Sequence, residues 1–446
     1  MRVINTKEPF ILFIGDLAIL CFSLWLSLLL RSGQVPTLEI WSVHFYPFLI
    51  IFALWIVIFY LSGLYERHTS ILKNKVPLIL SNAYIVTSLV AFAFFYVIPI
   101  FSITPKTILL IFIFISFFLL YLFRVFIYSK IISFKKHKAV LIGDGLEIEN
   151  LFNEVNNDKH YSFEFVKHIK LASLLEDVTF QIEEIKKTNN IAIVVIDLKN
   201  KNIEPVLPQL YSLLLENVRF VDLYQVYEEV FYKVPVSLIE YDWFIEHVSA
   251  NDKITYDLLK KSVDVIVSFV GGIVSLLIYP FIIIALKIEN PGSPIFISQI
   301  RVGKNNKPIK IYKFRSMLKN ENGVWLGESE NKITKVGNFL RKSSIDEFPQ
   351  FWNIFKGDIS LVGPRPDMTG LEERLSKEIP YYSVRYVVKP GLSGWAQTRQ
   401  DVIPNTIEEN KDRLAYDLYY IKNRSVLLDI KIILKTIKTL LSRGGR

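Results

Sequence analysis

The residues best suited to chemistry crowd into the C-terminal part of the chain. Asp346 and Glu347 stand side by side before Phe348-Pro349-Gln350, with Arg341 a short distance upstream. Adjacent carboxylates after Ser344 fit a helix N-cap with acids in its first turn. They fit catalysis as well, since a helix N-terminus and Arg341 would keep Asp346 ionised as a nucleophile and help hold a phosphate. Lys356-Gly357-Asp358 leads to Gly363-Pro364-Arg365-Pro366-Asp367. There two prolines and a glycine stiffen a loop around one planar, bidentate anion ligand. A basic stretch runs from Gln299-Ile300-Arg301-Val302-Gly303 to Tyr312-Lys313-Phe314-Arg315-Ser316-Met317. On composition alone it reads equally as a solvated strand or a strip facing anionic lipid. Lys389-Pro390-Gly391 through Gly394-Trp395-Ala396-Gln397 supplies glycines that let backbone approach a ligand, or that simply make an irregular turn.

What this region lacks narrows the chemistry. Asn251–Arg446 contains neither histidine nor cysteine. That excludes a histidine-based triad, a thiol nucleophile and a conventional zinc site. A P-loop is also missing, because Ser298 stands where the first glycine before Gly303-Lys304 would be needed. Carboxylates, lysines, arginines, tyrosines and a hard cation such as Mg²⁺ remain, and they fit phosphoryl chemistry.

The elements that must position these groups begin in a membrane. The chain has 446 residues, enough for two or three domains; 51% are hydrophobic and the net charge is +9. Four apolar runs, Phe10–Leu30, Phe45–Leu64, Val76–Ile98 and Thr107–Tyr128, are each about 20 residues long, the length that spans a bilayer. The first reads as a retained helix rather than a signal peptide. Cys21, the only cysteine, lies inside it as a packing residue and allows no intramolecular disulfide. Arg67, Lys73 and Lys75 separate the second and third runs, and Lys130, Lys135, Lys136 and Lys138 follow the fourth. The positive-inside rule therefore places the N-terminus and everything after Tyr128 in the cytoplasm. Because the basic residues flank apolar segments and line no exposed basic face, nucleic acid is not an expected partner.

From Lys138 the pattern turns to α/β. Ala139–Ile142 and Ile191–Ile196 read as buried strands and Val178–Thr188 as a helix, a Rossmann-like unit. Gly143-Asp144-Gly145 carries two glycines of a dinucleotide fingerprint, but Ile148 occupies the third position. A structural module is favoured over cofactor binding. A fifth apolar run, Val263–Leu286, contains Pro280 and has basic residues on both flanks, Lys260 and Lys261 before it and Lys287 and Arg301 after it. A re-entrant helix-break-helix over 262–286 satisfies the charge rule, whereas a kinked fifth span does not. Val426–Leu441, with Lys431, Lys435 and Lys438, reads as an interfacial or an ordinary amphipathic helix.

Taken together, the stretch from Lys261 onward resembles the catalytic domain of the bacterial sugar transferases called monotopic phosphoglycosyl transferases. The resemblance rests on Lys261/Asp264 with Pro280, Arg301-Val302-Gly303, Lys313-Phe314-Arg315-Ser316-Met317, Asp346-Glu347-Phe348-Pro349-Gln350, Gly363-Pro364-Arg365-Pro366 and Gly391 through Gly394-Trp395. The preceding spans and α/β module look like the large, polyprenyl-phosphate hexose-1-phosphate transferase branch. Phe348 and Ser316 stand where that family often has leucine and threonine, mild changes of size.

The resemblance implies four transmembrane helices in 1–133, a Rossmann-like cytoplasmic module in 134–250 and a mainly α catalytic domain in 251–446. It implies transfer of a sugar-1-phosphate from a UDP-sugar to undecaprenyl phosphate at the bacterial inner membrane, on its cytoplasmic face, as the first membrane step of exopolysaccharide, capsule or O-antigen synthesis. Asp346 would be the nucleophile of a ping-pong mechanism, and Glu347 would join it in holding Mg²⁺. Arg301, Lys313, Arg315, Arg341 and Arg365 would contact phosphates, and Lys261, Asp264 and Pro280 would shape the re-entrant helix. A homodimer is also expected from that branch. Two other readings compete: a membrane receptor or scaffold with an inactive transferase domain, and a nucleotide-sugar epimerase or dehydrogenase using the Gly143–Gly145 turn.

Overall fold

The computed structural model describes residues 7–65, 76–97, 106–127, 136–158, 161, 163–171, 174, 191–197, 200–211, 213, 218–248, 253–317, 333–400 and 404–443. Two compact units divide the chain, Met1–Val230 and Phe231–Arg446. The boundary falls ahead of the 250/251 division expected from composition. The intervening segment belongs with the C-terminal unit: Val234 N–H donates to the Ala415 carbonyl at 3.1 Å, and Tyr232 stacks edge-on against Trp395.

The first unit opens with four apolar helices, α1 (Lys7–Ser32), α2 (Leu38–Leu61), α3 (Val76–Val97) and α4 (Lys106–Leu122), the last continuing as a π-helical turn over Phe123–Ile127. Each is long and apolar enough to cross a membrane. An aromatic core of Phe48, Phe52, Trp55, Phe59, Tyr84 and Phe112 lies among them, while Phe10, Leu78, Leu89 and Phe114 are exposed. One ion pair sits inside this apolar set. Arg124 donates to both Asp16 carboxylate oxygens and, at 2.8 Å, to the Leu64 carbonyl, while the Tyr65 hydroxyl donates to Asp16 at 2.6 Å. Every strong donor and acceptor of the pair is thus answered, as a buried charge requires.

The α/β part is a four-stranded parallel sheet, order β2-β1-β3-β4, built from β1 (His137–Ile142), β2 (Phe163–Ile169), β3 (Ile191–Ile196) and β4 (Arg219–Asp222). Both strands read from the sequence are present; the helix expected at Val178–Thr188 lies outside the described residues. At the Gly143–Gly145 turn, α5 (Leu146–Asn157) brings Ile148 against Gly143, so closely that a β-carbon there would meet the Ile148 side chain at 2.6 Å. Asp144 accepts from the Leu171 N–H at 3.0 Å, and the Gly143 carbonyl contacts the His168 ring at 2.8 Å. Ile148 therefore fills the close helix–strand contact that the third glycine of the fingerprint would serve.

The second unit contains α6 (Tyr241–Val248) and a 36-residue helix, α7 (Ile254–Glu289). Helical hydrogen bonding runs straight through Pro280, so the expected helix-break-helix is one continuous element. Proline removes a single N–H bond, and its neighbours are anchored: Tyr279 packs edge-on against Phe314 at 4.8 Å, and Ile282 and Leu286 are buried with Phe314 and Leu340. The same body is gripped along the helix. Asp264 accepts from the Leu361 N–H at 3.0 Å, Gly271 faces the Phe351 ring, and the Leu286 carbonyl accepts from Arg315 at 3.0 Å. Those contacts span about 33 Å of helix. Phe281, Leu277 and Ile266, on its other sides, are exposed.

Around α7 lie the antiparallel hairpin β5 (Phe296–Val302) and β6 (Pro308–Phe314), α8 (Lys335–Lys342), α9 (Gln350–Lys356) and the parallel pair β7 (Ser360–Val362) and β8 (Gly391–Ser393). α10 (Thr369–Glu378), α11 (Ile407–Asn423) and α12 (Val426–Arg443) close the unit. α11 starts with a reciprocal Thr406/Glu409 capping box. In α12, Ile432 is buried and Asp429 accepts from Lys260 at 2.7 Å. Lys431 and Lys435 turn toward the Trp395 ring, and Leu427 and Ile430 are exposed. The lysines thus pack on protein while the apolar side is open, the reverse of an ordinary packing helix.

Removing one member of the Asp16–Arg124 pair leaves the other charge buried alone. Asp16→Ala is expected to lose about 3–5 kcal/mol of stability. The double change Asp16→Leu with Arg124→Met should recover most of it. Thermal unfolding of detergent-solubilised protein decides: an unchanged Tm in Asp16→Ala would show that the pair holds nothing.

Candidate active site

The chain reaches the carboxylate pair through a strained turn. α8 ends at Lys342, Ser344 takes a left-handed backbone conformation (φ 57°), and a short 3₁₀ turn, Ile345–Glu347, follows. Such a conformation costs about 1–3 kcal/mol in a non-glycine residue and persists where its surroundings enforce it. Here it points two consecutive acids into the unit. The N-cap expectation needs correcting. Ser344 caps nothing with its side chain, and the α-helix begins only at Gln350, beyond both acids.

Glu347 is clamped by two cations from different elements. Its Oε1 accepts from Lys313 Nζ, at the end of β6, at 2.7 Å and from Arg365, on the loop after β7, at 3.0 Å. Burial alone would raise its pKa, but the Arg365 and Lys313 charges win and hold it down at about 2. Lys313 is in turn lowered, first by burial, while Arg365 is raised, first by Glu347.

Asp346 behaves oppositely. It is buried, and its carboxylate makes no hydrogen bond with a described residue. Burial first, then the neighbouring Glu347 charge, pushes its pKa up to about 6, against the pull of Lys313, Arg341 and Arg365. Sequence reasoning expected a helix N-terminus and Arg341 to keep this group ionised. With no helix dipole at its turn, desolvation prevails. Two adjacent acids are thereby split into a permanent anion and a group that titrates near neutrality, a usual mark of a catalytic pair.

Not all expected phosphate ligands gather here. Arg301, Lys313 and Arg365 line one cleft together with Gln350, Pro366 and Gly391. Arg301 spends two nitrogens on Pro366 and Gln299, at 2.9 and 2.8 Å, and its Nε has no partner. Arg341 is near enough to Asp346 to stabilise its charge. Arg315 lies elsewhere: it is buried and caps the C-terminal end of α7 through the Leu286 carbonyl. Lys261 and Pro280 are exposed on α7, and Asp264 ties that helix to β7.

The loop bearing Arg365 has a support that the sequence did not disclose. Asp367 accepts from the Tyr382 and Tyr386 hydroxyls, both at 2.8 Å, and is paired with Arg385 and Arg413. Each of those arginines also donates from its Nη2 to the Arg365 carbonyl, at 3.1 and 2.8 Å. Their charges hold the Asp367 carboxyl well below the usual range despite its burial. The loop's other edge lies on Gly391, where a β-carbon would meet the Gly363 nitrogen at 2.0 Å. Asp367 stood inside a noticed motif, but Arg385 and Arg413 belong to distant segments with no pattern of their own.

Comparison with known proteins follows the same stretch. Residues 255–443 match the family model for bacterial sugar transferases. The exopolysaccharide production protein PSS of Rhizobium leguminosarum bv. phaseoli is 36% identical over 195 residues, 42% of this chain and 97% of that protein. This chain belongs to the bacterial sugar transferase family. Over 197 residues it is 38% identical to a UDP-N-acetylgalactosamine-undecaprenyl-phosphate N-acetylgalactosaminephosphotransferase of Aeromonas hydrophila, covering 43% of this chain and 45% of that one. Over 189 residues it is 41% identical to the UDP-glucose:undecaprenyl-phosphate glucose-1-phosphate transferase of Escherichia coli strain K12, covering 40% and 39%. The match therefore spans less than half the length of these two relatives. The carboxylate pair, the Arg365 loop and the α7 anchors all lie within it.

The raised Asp346 pKa has a consequence for stability. The native state binds this proton more tightly than the unfolded chain does. The associated stabilisation is complete below pH about 4 and is lost as pH rises through about 6. In metal-free buffer Asp346→Asn should therefore have a higher Tm than wild type at pH 8, with the gap closing by pH 4. A wild-type protein that is the more stable at pH 8 would contradict the desolvated carboxylate.

Proposed function

We propose that this protein transfers a sugar-1-phosphate from a UDP-sugar to undecaprenyl phosphate, giving undecaprenyl-diphosphate-sugar and UMP. The observation that carries the reading is the pairing of a buried, uncommitted Asp346 with a Glu347 already neutralised by Lys313 and Arg365. Family membership sets the reaction class in which such a pair is to be read.

In the first step the ionised Asp346 attacks the β-phosphorus of the donor. The bond from that phosphorus to the bridging oxygen breaks, and the oxygen leaves with UMP. A phosphosugar stays on the carboxylate. An oxygen of undecaprenyl phosphate then attacks the same phosphorus, and Asp346 departs as carboxylate, ready for another cycle. Arg365, Lys313 and Arg301 oppose the negative charge of the phosphates, and Arg341 favours the ionised nucleophile. Glu347 orders this array by fixing two of its cations.

Mg²⁺ fits the residues present in a limited way. No cluster of three or more histidines, cysteines or acids occurs among the described residues, so the protein alone makes no cage. Mg²⁺ asks for less, one or two carboxylates completed by substrate phosphates and water. Asp346 and the second oxygen of Glu347 would hold it, and when bound it would neutralise charge on the donor's diphosphate.

The contacts of α7 support a reading of its placement in the membrane. A helix that crossed the bilayer would have to leave the body at one end, yet α7 keeps contact with one body from Asp264 to Leu286. We read it as a re-entrant element that bends at Pro280 without unwinding, and so enters and leaves through the cytoplasmic leaflet. The four preceding helices form a transmembrane bundle in the inner membrane, and the product enters exopolysaccharide, capsule or O-antigen synthesis. Exposed Trp352 and Phe355 beside α7, and Leu427 and Ile430 on α12, would face the same lipid. A site there meets soluble nucleotide sugars and lipid phosphates at one height.

UMP release from a panel of UDP-sugars, with Mg²⁺ and undecaprenyl phosphate, tests the reaction. One UDP-sugar should release UMP, with at least a 10³-fold loss in Asp346→Asn, roughly the cost of removing a nucleophile. The wild-type rate should fall as pH drops below about 6. Full activity in the variant would overturn the nucleophile; silence across the panel from folded protein would overturn the reaction.

A further inference from the structure

The cleft beside the acid pair contains a donor that the reaction above leaves unused. Gln350, the first residue of α9, is 5% exposed, and its Nε2 is buried without a hydrogen-bond partner. The Nε of Arg301 is in the same state. Both side chains line the cleft that Lys313 and Arg365 also line. A buried amide donor without a partner is costly, so evolution rarely retains one that nothing will satisfy. Two side chains carrying such donors in the lining of one cleft, beside the Lys313 and Arg365 cations that share Glu347, describe a site for an anion bearing several oxygens.

The chemistry says which anion. This argument rests on the two-step transfer proposed above. Displacement at phosphorus is in line, so the oxygen that leaves lies opposite Asp346 when the phosphosugar forms. When the phosphosugar is discharged, Asp346 is itself the leaving group. The attacking oxygen must then come from the opposite side, the place the first leaving group vacated. The phosphate carried by UMP and the phosphate of the lipid acceptor therefore need the same position in turn.

We propose that Gln350 is a substrate-contacting residue. Its amide, with the Arg301 Nε–H, binds a single terminal phosphate, and the α-phosphate of the donor and the monophosphate of the polyprenyl acceptor occupy that place alternately. One set of donors then stabilises the departing charge of the first step and orients the nucleophile of the second. Because the amide is neutral, it holds the phosphate without trapping it, which an exchange site requires.

Binding to the full-length protein in lipid nanodiscs tests this without turnover, since UMP and undecaprenyl phosphate do not react on the free enzyme. Labelled UMP should bind wild type and be displaced by undecaprenyl phosphate. Gln350→Met, which keeps shape and removes the donor, should weaken UMP about tenfold and raise the KM for undecaprenyl phosphate by a similar factor. Its Tm should equal or exceed that of wild type, because no internal hydrogen bond is lost. Gln350→Glu, which adds a repelling charge, should weaken both ligands further and serves if the methionine variant misfolds. UMP binding unchanged in both variants would overturn the role of Gln350. Simultaneous binding of UMP and lipid phosphate would overturn the shared position. Absence of UMP binding to wild type would instead defeat the transferase reading beneath it.

Discussion

The site depends on one carboxylate held between two cations. Glu347 draws Lys313 from the β5–β6 hairpin and Arg365 from the loop after β7 onto a single oxygen. Without that anion, two neighbouring positive charges would repel one another across the seam that Arg301 and Val302 make with the backbone of the loop. With it, their charges stay in place, partly neutralised yet still able to attract phosphate. The neighbouring Asp346 feels the same anion as a repulsion, which adds to its desolvation and moves its pKa toward neutrality. One interaction thus assembles the cations and tunes the carboxylate proposed as nucleophile.

A second layer keeps the first in register. Arg365 is useful only if its backbone is fixed, and that is what the Asp367 cluster does. Two tyrosine hydroxyls and two arginines satisfy a buried carboxylate, while the same arginines bind the Arg365 carbonyl. Buried charge is tolerable here because nearly every polar atom finds a partner, and it confers rigidity that an apolar cluster would not. The close seating of Gly391 on Gly363 completes the frame, since any side chain there would drive β8 away from the loop.

The long helix α7 relates this machinery to lipid. It is apolar on the faces that leave the protein and gripped along the face that stays, through Asp264, Gly271, Tyr279 and Leu286. Its C-terminal third joins the unit's own core around Phe314, the residue after Lys313. In the re-entrant placement proposed above, this helix sets the height of the site.

Much of this was legible in the sequence for identifiable reasons. Spans follow from apolar run length, and two sheet strands from short buried runs. The absence of histidine and cysteine limited the chemistry to carboxylates and cations, and Asp346-Glu347 with Arg365 marked its centre. Those properties are local, written in consecutive residues. Tertiary structure alone decided the rest, because burial and partnership are relations between distant segments. It turned Arg315 away to cap α7, kept α7 helical through Pro280, and seated the Ile148 side chain against Gly143. Arg385 and Arg413 were brought under Arg365 from segments without any motif. Above all it moved the Asp346 pKa up where the sequence had suggested a helix dipole and Arg341 would hold it down: a carboxylate's affinity for its proton is set by what surrounds it, and no string of neighbours along the chain can specify that.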